Sequence, residues 1–183
     1  MPEPADQPTE QGRSLAGFYI ALGVVAGLVL LGVWLSTPLR VWYWERQIQK
    51  PLPPCPASNA PGYDAIHALY DEQSEAAVRL VEIGPRSAPA VTRLLRRGHA
   101  ERWITLWALQ RVSAKWALPI LVEECRERND PALTLLLVDT AERITGEFIQ
   151  PPEGYLRVKE LPPQLFLAWW EREGQAKYGG GGK

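Results

Sequence analysis

Cysteine and histidine are nearly missing from this chain, and each shortage removes a class of chemistry. Cys55 and Cys125 are the only cysteines, too few for a disulfide framework or a four-cysteine metal site. A single bridge between them is conceivable on count alone, but free thiols are the expected state. His67 and His99 are the only histidines, and neither stands in metal-ligand spacing with the other or with a cysteine. An excess of charge is missing too: 20 Lys and Arg face 21 Asp and Glu, for a net charge of -1. With no global basic field, nucleic acid is not an expected partner. Ser87 and Ser113 lack the GxSxG setting of a nucleophile elbow, and no GxxxxGK phosphate loop occurs. Cys125 falls on the apolar face of its segment, where a cysteine behaves as a small hydrophobe. The chain is therefore expected to be no enzyme, with no cofactor and no metal.

One further absence is informative. Nothing charged lies between Arg13 and Arg40, and FYIALGVVAGLVLLGVWL, from Phe18 to Leu35, is almost wholly apolar. At ~1.5 Å of rise per residue such a helix crosses a hydrocarbon core of ~30 Å. A cleaved signal peptide would end in small residues, whereas the exit here reads VWLSTPLRVWYW. Residues 15–36 are thus expected to be a permanent transmembrane helix. Trp34, Trp42, Tyr43 and Trp44 suit the membrane interface, where amphipathic rings settle at headgroup depth. Gly23 and Gly27, one turn apart, are candidates for close packing against another transmembrane helix. Arg40, Arg46 and Lys50 after the span outweigh Arg13 and the amino terminus before it, which are offset by Glu3, Asp6 and Glu10. Positive-inside bias then favours a cytoplasmic main domain over an extracytoplasmic one.

The flanks divide by composition. Residues 1–14, rich in Pro, Glu and Gln, are expected to be a disordered tail. Pro38 should interrupt the helix, with a juxtamembrane helix in 37–50 resuming until Pro51, followed by a proline-rich linker, 51–62. A helical domain occupies 63–173, and a flexible glycine-rich tail 174–183. Strand alternation is almost absent from the domain, so its fold class is all-α. Expected helices are Asp64 to Tyr70, a second from Ser74 stopped by Gly84-Pro85, Ser87 to Arg97, Ala100 to Val112, Lys115 to Arg128, and one begun by Asn129-Asp130-Pro131 and closed by Gly146. Their apolar stripes include Leu80, Val81 and Ile83; Val91, Leu94 and Leu95; Trp103, Leu106, Trp107 and Leu109; and Leu118, Leu121, Val122 and Cys125. Glu123, Glu124 and Glu127, with Arg126 and Arg128, should form a solvated, paired face.

A period emerges from these helices. Leu80-x-x-Ile83, Leu109-x-x-Val112 and Ala141-x-x-Ile144 mark successive helix ends, and Pro89 in SAPAVTRLL answers Pro119 in ALPILVEEC. Proline in a first turn costs no helical hydrogen bond, so each can open the second helix of a pair. AVRLVEIGPRSAPAVTRLLRRG resembles a HEAT repeat, in particular the short bacterial form called the phycobilisome-lyase HEAT-like repeat, in which one helix ends LxxIG and the next begins AxPAL. The second unit, ITLWALQRVSAKWALPILVEECRERND, has Ser113 and Ala114 where the first has a glycine turn. DPALTLLLVDTAERITG supplies a third first helix, and ELPPQLFLAWWERE resembles the tryptophan-rich helix that closes such arrays. The resemblance covers roughly residues 64 to 173. It implies a short α-solenoid of stacked helix pairs behind the membrane helix, in a single-pass protein of a bacterial inner membrane. The repeat is a scaffold shared by many non-enzymes, so lyase activity does not follow from it.

The implied function is a membrane-anchored scaffold or adaptor that binds a protein partner. The alternative is a small accessory subunit packed into a larger membrane complex through its span. Arg86, Arg93, Arg96, Arg97 and Arg102 cluster around one turn and form the candidate docking patch for an acidic protein or for anionic headgroups. Against that stands the simpler role of arginines at a helix C-terminus, where they meet the negative end of the dipole.

Overall fold

A computed structural model describes residues 10–53, 63–149 and 161–180, with side chains for all of these except 10–18, 21, 33, 34 and 63–67. Cys55 and the end of the glycine tail, 181–183, lie outside the described residues, as do the side chains of His67 and Trp34. The chain divides into two compact units, Met1–Leu39 and Arg40–Lys183. Every described element is helical.

Helix α1, Glu10–Ile48, supplies the first unit and the opening turns of the second. It starts earlier than expected, so residues 10–14 are helical, and it does not break at Pro38. Proline removes one internal hydrogen bond from a helix, and here the turns on both sides persist. In the first unit Ile20, Leu22, Val24, Val25, Leu28, Val29, Leu30 and Leu31 are all more than half exposed. A run of consecutive apolar positions covers the whole circumference of a helix, which water tolerates poorly and hydrocarbon accommodates. Among the described residues α1 is the one helix long and apolar enough to cross a membrane.

The second unit begins at Arg40, upstream of residue 63 where composition alone places it. Ile48 is buried and Val41 and Trp44 pack against the core, so the end of α1 belongs to the domain. Helix α2, Tyr63–Glu82, is continuous where two helices were expected. Ser74 does not cap a new helix; its hydroxyl donates back to the Tyr70 carbonyl at 2.9 Å, a bond that serine makes within a helix interior. A 3₁₀ turn, Gly84–Ser87, leads into α3, Ala88–Arg96, with Pro89 in its first turn. Gly84 sits at φ +82°, in the left-handed region that L side chains avoid. Helix α4, His99–Val112, ends at Ser113, which takes the same left-handed conformation at φ +51°. Lys115–Ala117 form a second 3₁₀ turn, and α5, Leu118–Arg128, carries Pro119 in its first turn. The sequence expectation of one helix from Lys115 thus resolves into a 3₁₀ turn and a helix.

Helix α6, Pro131–Thr145, starts as expected. The Asp130 carboxylate accepts from the amides of Ala132 at 2.9 Å and Leu133 at 3.2 Å, and Gly146 closes the helix at φ +75°. The next described helix is α7, Pro163–Trp169, followed by a π-helical turn Trp170–Gly174 and by α8, Gln175–Tyr178. Residues 174–178, expected in a flexible tail, are therefore helical. Gly174 lies so near the ring of Trp170 that a Cβ there would come within 2.6 Å of it.

Helices α2, α4 and α6 contact one another in succession, and α3, α5 and α7 do likewise. Between these rows α3 packs on α4 and α5 on α6. The core runs through Leu80, Val91, Leu94, Leu109, Leu121, Leu137, Phe166 and Trp169, all nearly inaccessible. Phe166 stacks on Trp169 at 5.9 Å between ring centroids.

Candidate docking surface

The arginines predicted to form a patch do not behave as one. Arg93 reaches back to Glu45, donating from Nε at 2.8 Å and from Nη2 at 2.6 Å, a bidentate clamp on a buried carboxylate. That hydrogen bond, followed by the charge of Glu45, holds the Arg93 guanidinium above its ordinary range against the opposing effect of burial. Arg96 donates to Glu124, which is 2% exposed, and pairs with Glu127 at 2.5 Å. The bond to Glu124 likewise raises the guanidinium above its ordinary range. Arg128 adds a third arm, 3.4 Å from Glu124, and donates to the Arg96 carbonyl at 3.0 Å. Glu124 is thus no member of a solvated face, as charge spacing had suggested, but a buried anchor between α3 and α5. Arg97 pairs with Glu101 at 3.7 Å, and Arg102 donates to the Leu95 carbonyl at 2.9 Å. Arg86 is exposed beside the first 3₁₀ turn. Four of the five arginines have partners within the chain, three of them carboxylates, so the group has an architectural role.

A different surface stands out on α4. That helix contacts α2, α3 and α6, and the face left over carries Trp103, 50% exposed, Trp107, 38% exposed, and Arg111. Both tryptophans were expected in the core. Helical spacing puts 103 and 107 on one face with 106 and 110 beside them, and the core accepts Leu106 and Leu109 instead. Arg111 lies over the Trp107 ring, its Cζ 5.2 Å from the centroid. A depression of about 280 Å³ is lined by Trp107, Gln110, Arg111 and Arg143. Arg143 also borders a second one, of about 300 Å³, which includes Glu147 and Phe148; Phe148 is 91% exposed. Gln110 ties the two helices beneath this strip, donating to Thr140 Oγ1 at 2.9 Å, and Arg143 is held by Asp139 at 3.0 Å. The strip joins rigid aromatic area to an arginine, the combination enriched in binding hot spots.

Trp42 is 57% exposed with Arg46 over its ring at 5.7 Å, and Tyr43 is 48% exposed, whereas Trp44 packs against the domain core. A Cβ built on Gly23 or Gly27 meets nothing within 4 Å. Cys125 is a free, buried thiol near Thr134 Oγ1 at 3.5 Å, and burial pushes its pKa up. Ser87 is buried and donates to the Gly84 carbonyl at 2.7 Å. Among the described residues no three His, Cys, Asp or Glu groups gather in a way that could hold a metal.

No family model, no curated protein and no solved structure matches the chain.

Proposed function

We propose that this protein is a single-pass, non-enzymatic membrane scaffold whose short HEAT-like array of helices presents the Trp103–Trp107–Arg111 face of α4 to a protein partner. The observation that carries it is the exposure of two tryptophans one turn apart on α4, a helix packed on its other sides against α2, α3 and α6, whereas Phe166, Trp169 and Trp170 are buried. Leaving such rings in water forgoes the stabilisation their burial would bring, and a partner recovers it. Support for the HEAT-like reading comes from the row α2, α4, α6 beside the row α3, α5, α7, and from prolines in the first turns of α3 and α5. Support for the anchor comes from the exposed apolar surface of α1. In this reading the anchor holds the domain at the cytoplasmic face of a bacterial inner membrane. The accessory-subunit alternative draws on the open Gly23 and Gly27 positions, which would admit another helix.

A photo-crosslinking residue placed at 107, or separately at 28 in the span, distinguishes these readings in native membranes. The scaffold predicts a protein adduct from 107 that Trp103→Ala weakens by about 30-fold or more, the scale of a hot-spot side chain. Adducts from position 28 alone would favour the accessory subunit, and adducts from neither would sink both. Sidedness is read with a membrane-impermeant thiol reagent. Because Cys125 is buried with a raised pKa, modification in intact cells reports Cys55, and labelling there would move the domain outside.

A further inference from the structure

Arg93, Arg96, Arg97 and Arg102 each have a carboxylate or a backbone carbonyl as partner. Arg40 and Arg46 of α1 are exposed instead, and neither pairs with a carboxylate among the described residues. The end of α1 has two faces. Val41, Trp44 and Ile48 pack on the domain core, and Glu45, the one acidic residue between Arg40 and Lys50, is buried and clamped by Arg93. Leu39, Trp42 and Tyr43 are exposed, and Arg46 lies over the Trp42 ring, its Cζ 5.7 Å from the centroid. A period of 3.6 residues makes this division, with 41, 44, 45 and 48 on one side and 39, 42 and 46 on the other. Carboxylates of α2 stand elsewhere: Asp71, Glu72 and Glu75 line a groove with Tyr43, Trp44 and Lys50, of which neither Arg40 nor Arg46 forms part, and Glu75 is paired with Arg79 at 3.0 Å.

A guanidinium over an aromatic ring keeps its N–H donors for an oxyanion, because they all lie in its own plane, and a phosphodiester can accept two of them at once. The indole is an amphipathic ring of the kind that settles at headgroup depth. Position in the chain names the source of the phosphate. Arg40 directly follows Leu39, the last residue of the first unit, and Trp42 is three residues on, at most about 11 Å in any conformation. If α1 crosses the bilayer, this face is within reach of the headgroup layer that flanks the ~30 Å hydrocarbon core. We propose that Arg40, Trp42 and Arg46 form a binding site for an anionic phospholipid, with the phosphodiester held by the two guanidiniums and the first carbons of the lipid covered by Leu39 and the Trp42 ring. A zwitterionic lipid brings an ammonium that the arginines repel, so the site prefers a headgroup of net negative charge.

The inference rests on the membrane-anchored reading, and the test separates the two. The full chain is reconstituted into nanodiscs containing equal phosphatidylethanolamine and phosphatidylglycerol, and lipids retained after gentle release are counted by native mass spectrometry. One arginine beside an anionic headgroup strengthens its retention about fivefold. Phosphatidylglycerol should therefore exceed phosphatidylethanolamine by about 25-fold on the unsubstituted chain and by about fivefold on Arg46→Gln, with parity on the Arg40→Gln/Arg46→Gln double variant. The melting temperature should not change in either variant, since both side chains are exposed and outside any ion pair among the described residues. Arg86→Gln, which removes an exposed arginine beside the first 3₁₀ turn, should leave the preference intact; a loss there equal to that of Arg46→Gln would make the effect one of net charge and overturn the site. Equal retention of the two lipids by the unsubstituted chain, or a preference that survives the double substitution, overturns the site while leaving the anchor intact. A chain that fails to enter the nanodisc removes the anchor and the lipid site together.

Discussion

The two units are built from the same residues and put them to opposite use. Leu22, Leu28, Leu30 and Leu31 of the first unit are 51 to 69% exposed, whereas Leu80, Leu94, Leu109, Leu118 and Leu121 of the second are at 0%. The difference lies in spacing. In the first unit apolar residues run consecutively, so no polar face exists for water and no stripe exists to bury against a neighbour. In the second they recur every three or four positions between charged residues, and a neighbouring helix can cover the stripe. Leucine content thus says little about where a leucine ends up; its period says a great deal.

The sharpest way to break this contrast is the same substitution in both units. Leu109→Ala removes a fully buried side chain of α4 and should cost the domain about 2–5 kcal/mol, seen in a denaturant melt followed by circular dichroism in detergent. Leu28→Ala, in the exposed stretch of α1, should shift the same transition by less than about 0.5 kcal/mol. Equal losses would mean that the first unit also owes its helix to protein packing.

A smaller effect probes the turns within the second unit. Gly84 and Ser113 hold the same left-handed conformation at corresponding helix ends, but only the glycine does so without steric penalty. Gly84→Ala should destabilise by about 1 kcal/mol and Ser113→Gly should stabilise by up to about 1 kcal/mol. If both substitutions moved stability in the same direction, the two turns would not be equivalent and the repeat reading would weaken.

The smallest effect is expected at the far end of the domain, where Glu147 accepts from Tyr178 at 2.8 Å and from Lys177 at 3.0 Å. The Tyr178 hydrogen bond, then that of Lys177, holds the Glu147 carboxyl below the ordinary carboxylate range. Its contribution is therefore present above that range and lost as pH falls through the lowered value. Lys177 is held above the ordinary lysine range by Glu147, so its contribution is present below that range and lost as pH climbs through the raised value. Tyr178, raised by burial and then by its bond to Glu147, follows the same alkaline sign. The melting-temperature difference between the native chain and Glu147→Gln should be flat from about pH 5 to about pH 9 and shrink on both sides. A difference independent of pH would leave the cluster without an electrostatic role.

Much of the helical outline was legible because helix ends are local events. Asp130-Pro131, Gly146, Gly84, Pro89 and Pro119 each act within one turn of the chain, and each does in the structure what its chemistry implies. The false boundary between Tyr70 and Ser74 came from the same local logic, since a serine that can cap a helix can also bond back into one. The candidate site was less legible. Arginines were the conspicuous signal, but their value depends on Glu45, 48 residues from Arg93, and Glu124, 28 residues from Arg96, and no spacing rule connects residues so far apart. Trp103 and Trp107 looked like core because hydrophobicity marks a residue as able to be buried without saying which face of α4 finds neighbours.

Order along the chain, helix starts and stops, and the uninterrupted apolar stretch of α1 all follow from short-range chemistry: steric limits on φ, capping of free amides, and the period of apolar residues. Folding in three dimensions assigned the rest. It joined the end of α1 to the domain, turned two arginines into clamps on buried carboxylates, and left two tryptophans in water, because burial and charge pairing depend on which segments meet in space, and that depends on every helix at once.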